Sequence, residues 1–165
     1  MNNRRNFIKK TTLGTLGVSS ILGCENQSKT IVKPVYPRII STWNHGLEAN
    51  QKAWDVLKNG QGGLSAVEEG VKVSEADPKI RSVGFGGYPD RDGIVTLDAC
   101  IMDKNSNCGS VSFLQNIKHP ISVARHVMED TPHVMLSGKG ALDFAISKGF
   151  VQENLLTEAS KKDWI

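Results

Sequence analysis

The stretch Ser82-Val-Gly-Phe-Gly-Gly-Tyr-Pro-Asp-Arg-Asp-Gly-Ile-Val-Thr-Leu-Asp-Ala-Cys-Ile-Met-Asp103 carries the signals from which the rest of the chain is read. Its first half sets Gly84, Gly86 and Gly87 around Phe85 and breaks at Tyr88-Pro89, the composition of a tight turn or a close backbone approach. Its second half, from Ile94 to Asp103, reads as a strand. Lys104-Asn-Ser-Asn107 then turns, and Gly109–Leu114 returns, so a hairpin is predicted. In that register Cys100 and Cys108 stand several residues apart along the ladder, too far for a disulfide. Two buried or half-buried thiols are expected.

Outward from the hairpin, Arg38–Trp43 is β-branched and predicts a short strand. A helix follows from about Glu48, with Ala49, Ala53, Trp54 and Leu57 on one stripe and Asn59-Gly60 closing it. Ser65-Ala-Val-Glu68 has the pattern of a capping box and opens a second helix, with Val67, Val71 and Ser74 inward and Asp77-Pro78 as its stop. Pro120 starts a third, with Val123, Ala124, Val127 and Met128 inward. Val134-Met-Leu136 reads as a buried strand. A fourth helix spans about Gly140–Lys148, with Leu142, Ala145 and Ile146 inward and Gly149 as cap; Thr157–Trp164 begins another. Antiparallel strands with helices packed on a face make a layered α+β plan.

The chain has 165 residues, 20 Lys+Arg against 17 Asp+Glu, and a formal charge of +3. Arg4, Arg5, Lys9 and Lys10 carry that excess; without residues 1–23 the balance is 16 basic to 17 acidic. A nearly neutral body excludes the clustered basic face that a nucleic acid requires. Charged Arg4-Arg5 and Phe7-Ile8-Lys9, a weakly apolar run, then Ile21-Leu-Gly-Cys24 form an export signal. The arginine pair resembles the twin-arginine pattern, and the run into Cys24 resembles a bacterial lipobox, with Cys24 as the lipid-attachment site. Residues 1–23 are therefore read as a lipoprotein signal, 24–37 as a polar, proline-punctuated tether, and 38–165 as the folded body. This places the protein outside the cytoplasm, periplasmic or held to a membrane by a lipid anchor alone.

The four histidines (His45, His119, His126, His133) form no pair at zinc-ligand spacing, and a metal role is not expected. His126, beside Arg125 on the third helix, is expected to be solvated or half-buried. A phosphate loop, a dinucleotide fingerprint and a nucleophile elbow are all missing from the sequence. Pattern alone reaches no reaction. The wording of Ser82–Asp103 goes further, because it closely resembles the α-chain of the glycosylasparaginase family. Ser41-Thr-Trp-Asn44, Gly62-Gly63 with Ala66-Val67-Glu68, Ile121-Ser-Val-Ala-Arg125, Thr131-Pro-His-Val-Met-Leu136 and Gly149-Phe150 with Asn154-Leu-Leu-Thr157 fit in order, so the resemblance runs from about Ile40 to Trp164.

That resemblance implies an N-terminal-nucleophile hydrolase with an αββα sandwich, of which this chain would be the N-terminal part, incomplete at its C-terminus. It implies an amidohydrolase that cleaves the N4-glycosyl-asparagine bond to aspartate and an amino sugar, without metal or organic cofactor. A threonine exposed by autoproteolysis would be the nucleophile and its own α-amino group the base. That threonine would lie beyond residue 165, leaving no catalytic residue in this chain, and the β-chain of the same precursor would be its partner in a dimer of αβ units. Asp130-Thr131 stands in the wrong block to be the scissile bond. By the resemblance Trp43 lines the substrate pocket, against the plainer reading of a core aromatic after a strand; Ser82, Gly86, Gly87 and Asp98 match family positions and are expected to support the site. The weighed alternatives are an asparaginase or isoaspartyl peptidase with the same nucleophile, and a lipoprotein that binds without catalysis.

Overall fold

The computed structural model describes residues 37–165. The signal, most of the tether and Cys24 lie outside the described residues. Among the described residues five helices and three strands follow in order: α1 (Gly46–Lys58), α2 (Gly63–Ala76), β1 (Thr96–Met102), β2 (Cys108–Gln115), α3 (Pro120–Asp130), β3 (Met135–Ser137), α4 (Gly138–Ser147) and α5 (Glu158–Trp164). The expected mixed α/β layering is present.

The hairpin forms because Asp103 organises its turn. One carboxylate oxygen accepts from the amides of Asn105 and Asn107 at 2.8 and 2.9 Å, the other from the Asn107 side chain at 2.8 Å. These bonds compensate the positive φ of Ser106. β1 and β2 then pair antiparallel from Thr96↔Gln115 to Met102↔Cys108, with a shift between Leu97 and Ala99. β3 joins β2 in parallel, by way of α3. Its pairing departs from the all-antiparallel expectation, since a helix between two strands returns the chain to the same end of the sheet.

One face of the sheet lies under α3 and α4. Val111, Leu114, Val123, Ala124, Val127, Ala141 and Ala145 close this core with almost no exposure. Gly109 makes the approach possible, because a Cβ there would meet Met128 N at 2.5 Å and lie within the radius of the Ala124 carbonyl oxygen. The opposite face carries Asp98, Cys100, Met102, Ser110, Ser112, Met135 and Ser137, exposed or half-buried. α1 and α2 pack on each other through Ala53, Val56, Ala66 and Gly70.

Several expectations are corrected. Residues 38–43 form an irregular approach and a turn, with no strand. α2 begins at Gly63 after Gly62, ahead of the expected Ser65 box, and its inward line is Ala66, Gly70 and Ser74; Val67 is exposed. Apolar counting missed that line because its contact residue is a glycine, which lets the Ala49 carbonyl approach to 2.8 Å of a would-be Cβ. Val134 and Met135 are exposed, because β3 is an edge strand. Ile146 also faces outward. Cys100 sits opposite Ser110 and Cys108 opposite Met102, so the two thiols are diagonal neighbours on the open face; both are free and Cys100 is exposed. His126 is half-buried, 2.8 Å from Asp130.

Candidate active site

A cleft of about 490 Å³ opens where the 40–46 turn, the end of α2, the 82–84 segment, β1 and the start of α3 meet. Trp43 stands in the turn before α1, which is held by Gly46 N to Trp43 O at 2.9 Å and by His45 Nδ1 to Ser74 Oγ at 3.1 Å. The indole is 72% exposed, so it is no core aromatic. Ser82 lines the cleft from the glycine segment, and Asp98 from the open face of β1.

Asp98 has a clear local duty. At the register shift Ser112 and Phe113 face one residue of β1, and Asp98 Oδ1 accepts from the Phe113 amide at 2.8 Å. Phe113 has a φ of 52°, so the carboxylate stabilises a strained bulge while Asp98 also lines the cleft. Gly86 and Gly87 lie behind the wall, outside the cleft lining. Gly86 N donates to Leu155 O at 2.8 Å, and Gly87 O accepts from Ser160 Oγ at 2.7 Å. The structure thus brings Trp43, Ser82 and Asp98 to one cleft and sets Gly86 and Gly87 outside its lining; Cys24 lies outside the described residues.

Sequence reasoning missed Glu75, which also lines the cleft. Its side chain is almost fully buried, accepting from Ile121 N at 3.0 Å and meeting His119 Nδ1 at 3.2 Å. Burial pushes its carboxyl above the usual range, against the lowering effect of those two partners. One signal was available: an acidic residue in the last turn of a helix opposes the macrodipole and calls for a partner elsewhere. The cleft offers an aromatic wall, hydroxyls and carboxylate oxygens, the equipment for gripping a polar ligand. Ser74 with His45 is its nearest approach to a nucleophile and base, but that serine is a buried helix residue and the bond ties the Trp43 turn to α2. Among the described residues no cluster of three or more His, Cys, Asp and Glu is arranged to hold a metal.

Residues 29–165 match the family model described as Asparaginase. An N(4)-(beta-N-acetylglucosaminyl)-L-asparaginase of Elizabethkingia miricola is 57% identical over 169 aligned positions, covering 99% of this chain and 49% of the relative. The mouse protein of the same name is 43% identical over 78% of the chain and 38% of its own length. A putative one of Drosophila melanogaster is 46% identical over 78% of the chain and 34% of its length. The chain spans about half the length, or less, of these curated relatives. With the family model matched along the whole described body, the chain belongs to the asparaginase family.

Proposed function

We propose that this chain is the N-terminal part of an exported hydrolase that cleaves the bond between N-acetylglucosamine and the side-chain amide of asparagine, releasing aspartate and an amino sugar. The observation that supports this reading is that Trp43, Ser82 and Asp98, residues that carry the glycosylasparaginase resemblance, line one cleft. The reacting groups would come from beyond residue 165: a threonine freed by autoproteolysis attacks the amide carbonyl, its own α-amino group takes the proton and gives it to the amino sugar as the C–N bond breaks, and water then hydrolyses the acyl-enzyme to aspartate and free threonine hydroxyl. The cleft of this chain supplies the wall against which the sugar-bearing asparagine is held, with Trp43 as its aromatic surface.

In the same reading the open face of the sheet is one inner layer of an αββα sandwich, completed by the β-chain, and αβ units pair into dimers. Exposed Met102, Phe113 and Met135 on and beside that face support a covering layer. Export through the twin-arginine route and acylation of Cys24 would tether the enzyme to a membrane on the periplasmic side.

The test is to express the complete gene product and incubate it with N-acetylglucosaminyl-asparagine. Release of aspartate, together with division of the chain into two, is expected. Absence of hydrolysis would overturn the reading, and preferential turnover of free asparagine or isoaspartyl dipeptides would move it to the asparaginase or isoaspartyl peptidase alternative. Cys24→Ala should shift the protein from the membrane fraction to the soluble one; unchanged membrane binding would remove the lipid anchor.

A further inference from the structure

Three of the segments that form the cleft meet at the last turn of α2. Glu75 Oε1 accepts from Ile121 N at 3.0 Å, serving as the capping acceptor for α3, whose own N-cap residue His119 makes no side-chain cap bond. The carbonyl of the same residue accepts from Phe85 N at 2.7 Å. Gly84, at φ 59°, lies so close that any Cβ would overlap the Glu75 main chain. One residue earlier, Ser74 Oγ holds His45 of the Trp43 turn.

We propose that Glu75 is a positioning residue for the cleft: its side chain fixes the start of α3 and its main chain fixes the glycine turn, so that Ser82 keeps a set place relative to the opposite wall. Nothing in the chemistry of glycosylasparagine cleavage needs this carboxylate as a reactant. It acts through Ile121, Phe85 and Gly84. A carboxylate buried this deeply costs desolvation that a surface cap does not, and its bonds with Ile121 N and His119 are the compensation.

The kinetic arm of the test rests on the function proposed above, so it is paired with a measurement that needs no substrate. In the complete gene product, Glu75→Ala is expected to raise KM for N-acetylglucosaminyl-asparagine about tenfold or more, the scale on which an ångström of misplacement acts. Glu75→Gln keeps an acceptor for Ile121 N and offers an amide N–H to His119 Nδ1, and should hold KM within about twofold of wild type. Hydrogen exchange, read without substrate, should speed up in Glu75→Ala at residues 119–123 and stay as in wild type at residues 82–87, where the unchanged Glu75 carbonyl still accepts from Phe85 N, and should speed up at neither stretch in Glu75→Gln. Should Glu75→Ala fail to fold, Glu75→Asp, with its carboxylate drawn back by about one bond length, carries the same comparison. Faster exchange at 119–123 with KM unchanged in Glu75→Ala would reduce Glu75 to a local cap and overturn the proposal, as would unchanged exchange at 119–123 or a Glu75→Gln variant as impaired as Glu75→Ala. If the wild-type protein hydrolyses no glycosylasparagine, the functional reading falls, and the exchange pattern alone decides the role of Glu75.

Discussion

Gly109→Ala is the sharpest test of how α3 is seated on the sheet. The added methyl would meet Met128 N at 2.5 Å and Met128 Cβ at 2.7 Å, and would overlap the Ala124 carbonyl oxygen. All three atoms belong to α3, and two of them are backbone, so no rotamer change relieves the contact. The helix must lift by about 1 Å, and a gap of that size forfeits a quarter to a half of the dispersion attraction across it. Val123, Ala124 and Val127, each fully buried, line the face that would lift. Overpacking of this kind costs about 1–3 kcal/mol. Replacing a strand glycine returns about 0.5–1 kcal/mol of unfolded-state entropy, which leaves a net loss of about 1 kcal/mol. Urea unfolding of the purified protein should show a lowered midpoint at unchanged slope. Gly140→Ala is the control: it sits in α4 with open space around a would-be Cβ, and should gain about 0.5 kcal/mol. A Gly109→Ala midpoint equal to or above wild type would refute the packing argument.

Trp43→Ala should separate function from stability: an indole 72% exposed contributes little to folding, so unfolding should shift by less than about 0.5 kcal/mol while kcat/KM for N-acetylglucosaminyl-asparagine falls about tenfold or more. Arg125→Ala should cost about 1–3 kcal/mol, because its guanidinium bridges Glu68 at 2.7 Å and Ser65 at 3.2 Å on α2 and Glu129 at 2.9 Å on α3. Burial pushes the Glu68 carboxyl up, but hydrogen bonds from Ser122 and Arg125 outweigh it and hold the group below its ordinary 4.5. That contribution is present above pH 4.5 and fades as pH falls through the lowered value, so wild type should lose more stability on acidification than Arg125→Ala; equal acid slopes in unfolding titrations would count against the bridge. Residues 37–165 produced alone should bind a hydrophobic dye through Met102, Phe113 and Met135, and a body that stays soluble and dye-free would argue against a covering layer.

Much of the architecture was legible because it depends on neighbours in the chain. Asp103 with Asn105 and Asn107 makes a turn from local bonds, Pro120 starts α3, and Gly149, at φ 86°, follows α4. Those residues act within a few positions of themselves, so their meaning is written in order. The functional family was legible for a different reason: the wording of Ser82–Asp103 and the ordered blocks around it carry more information than any period.

What the tertiary structure decided are matters of distance between remote positions. Ala66-Gly70-Ser74 became the inward line of α2 because Gly70 lets α1 approach, which no hydrophobic pattern registers. Residues 38–43 have strand composition, yet no neighbouring strand pairs with them among the described residues, and β-branched side chains alone do not make a ladder. Glu75 reads in sequence as an ordinary helix-end acid. Only the fold carries Ile121 to it across 46 residues and Phe85 across ten, and those two amides make the cleft one object.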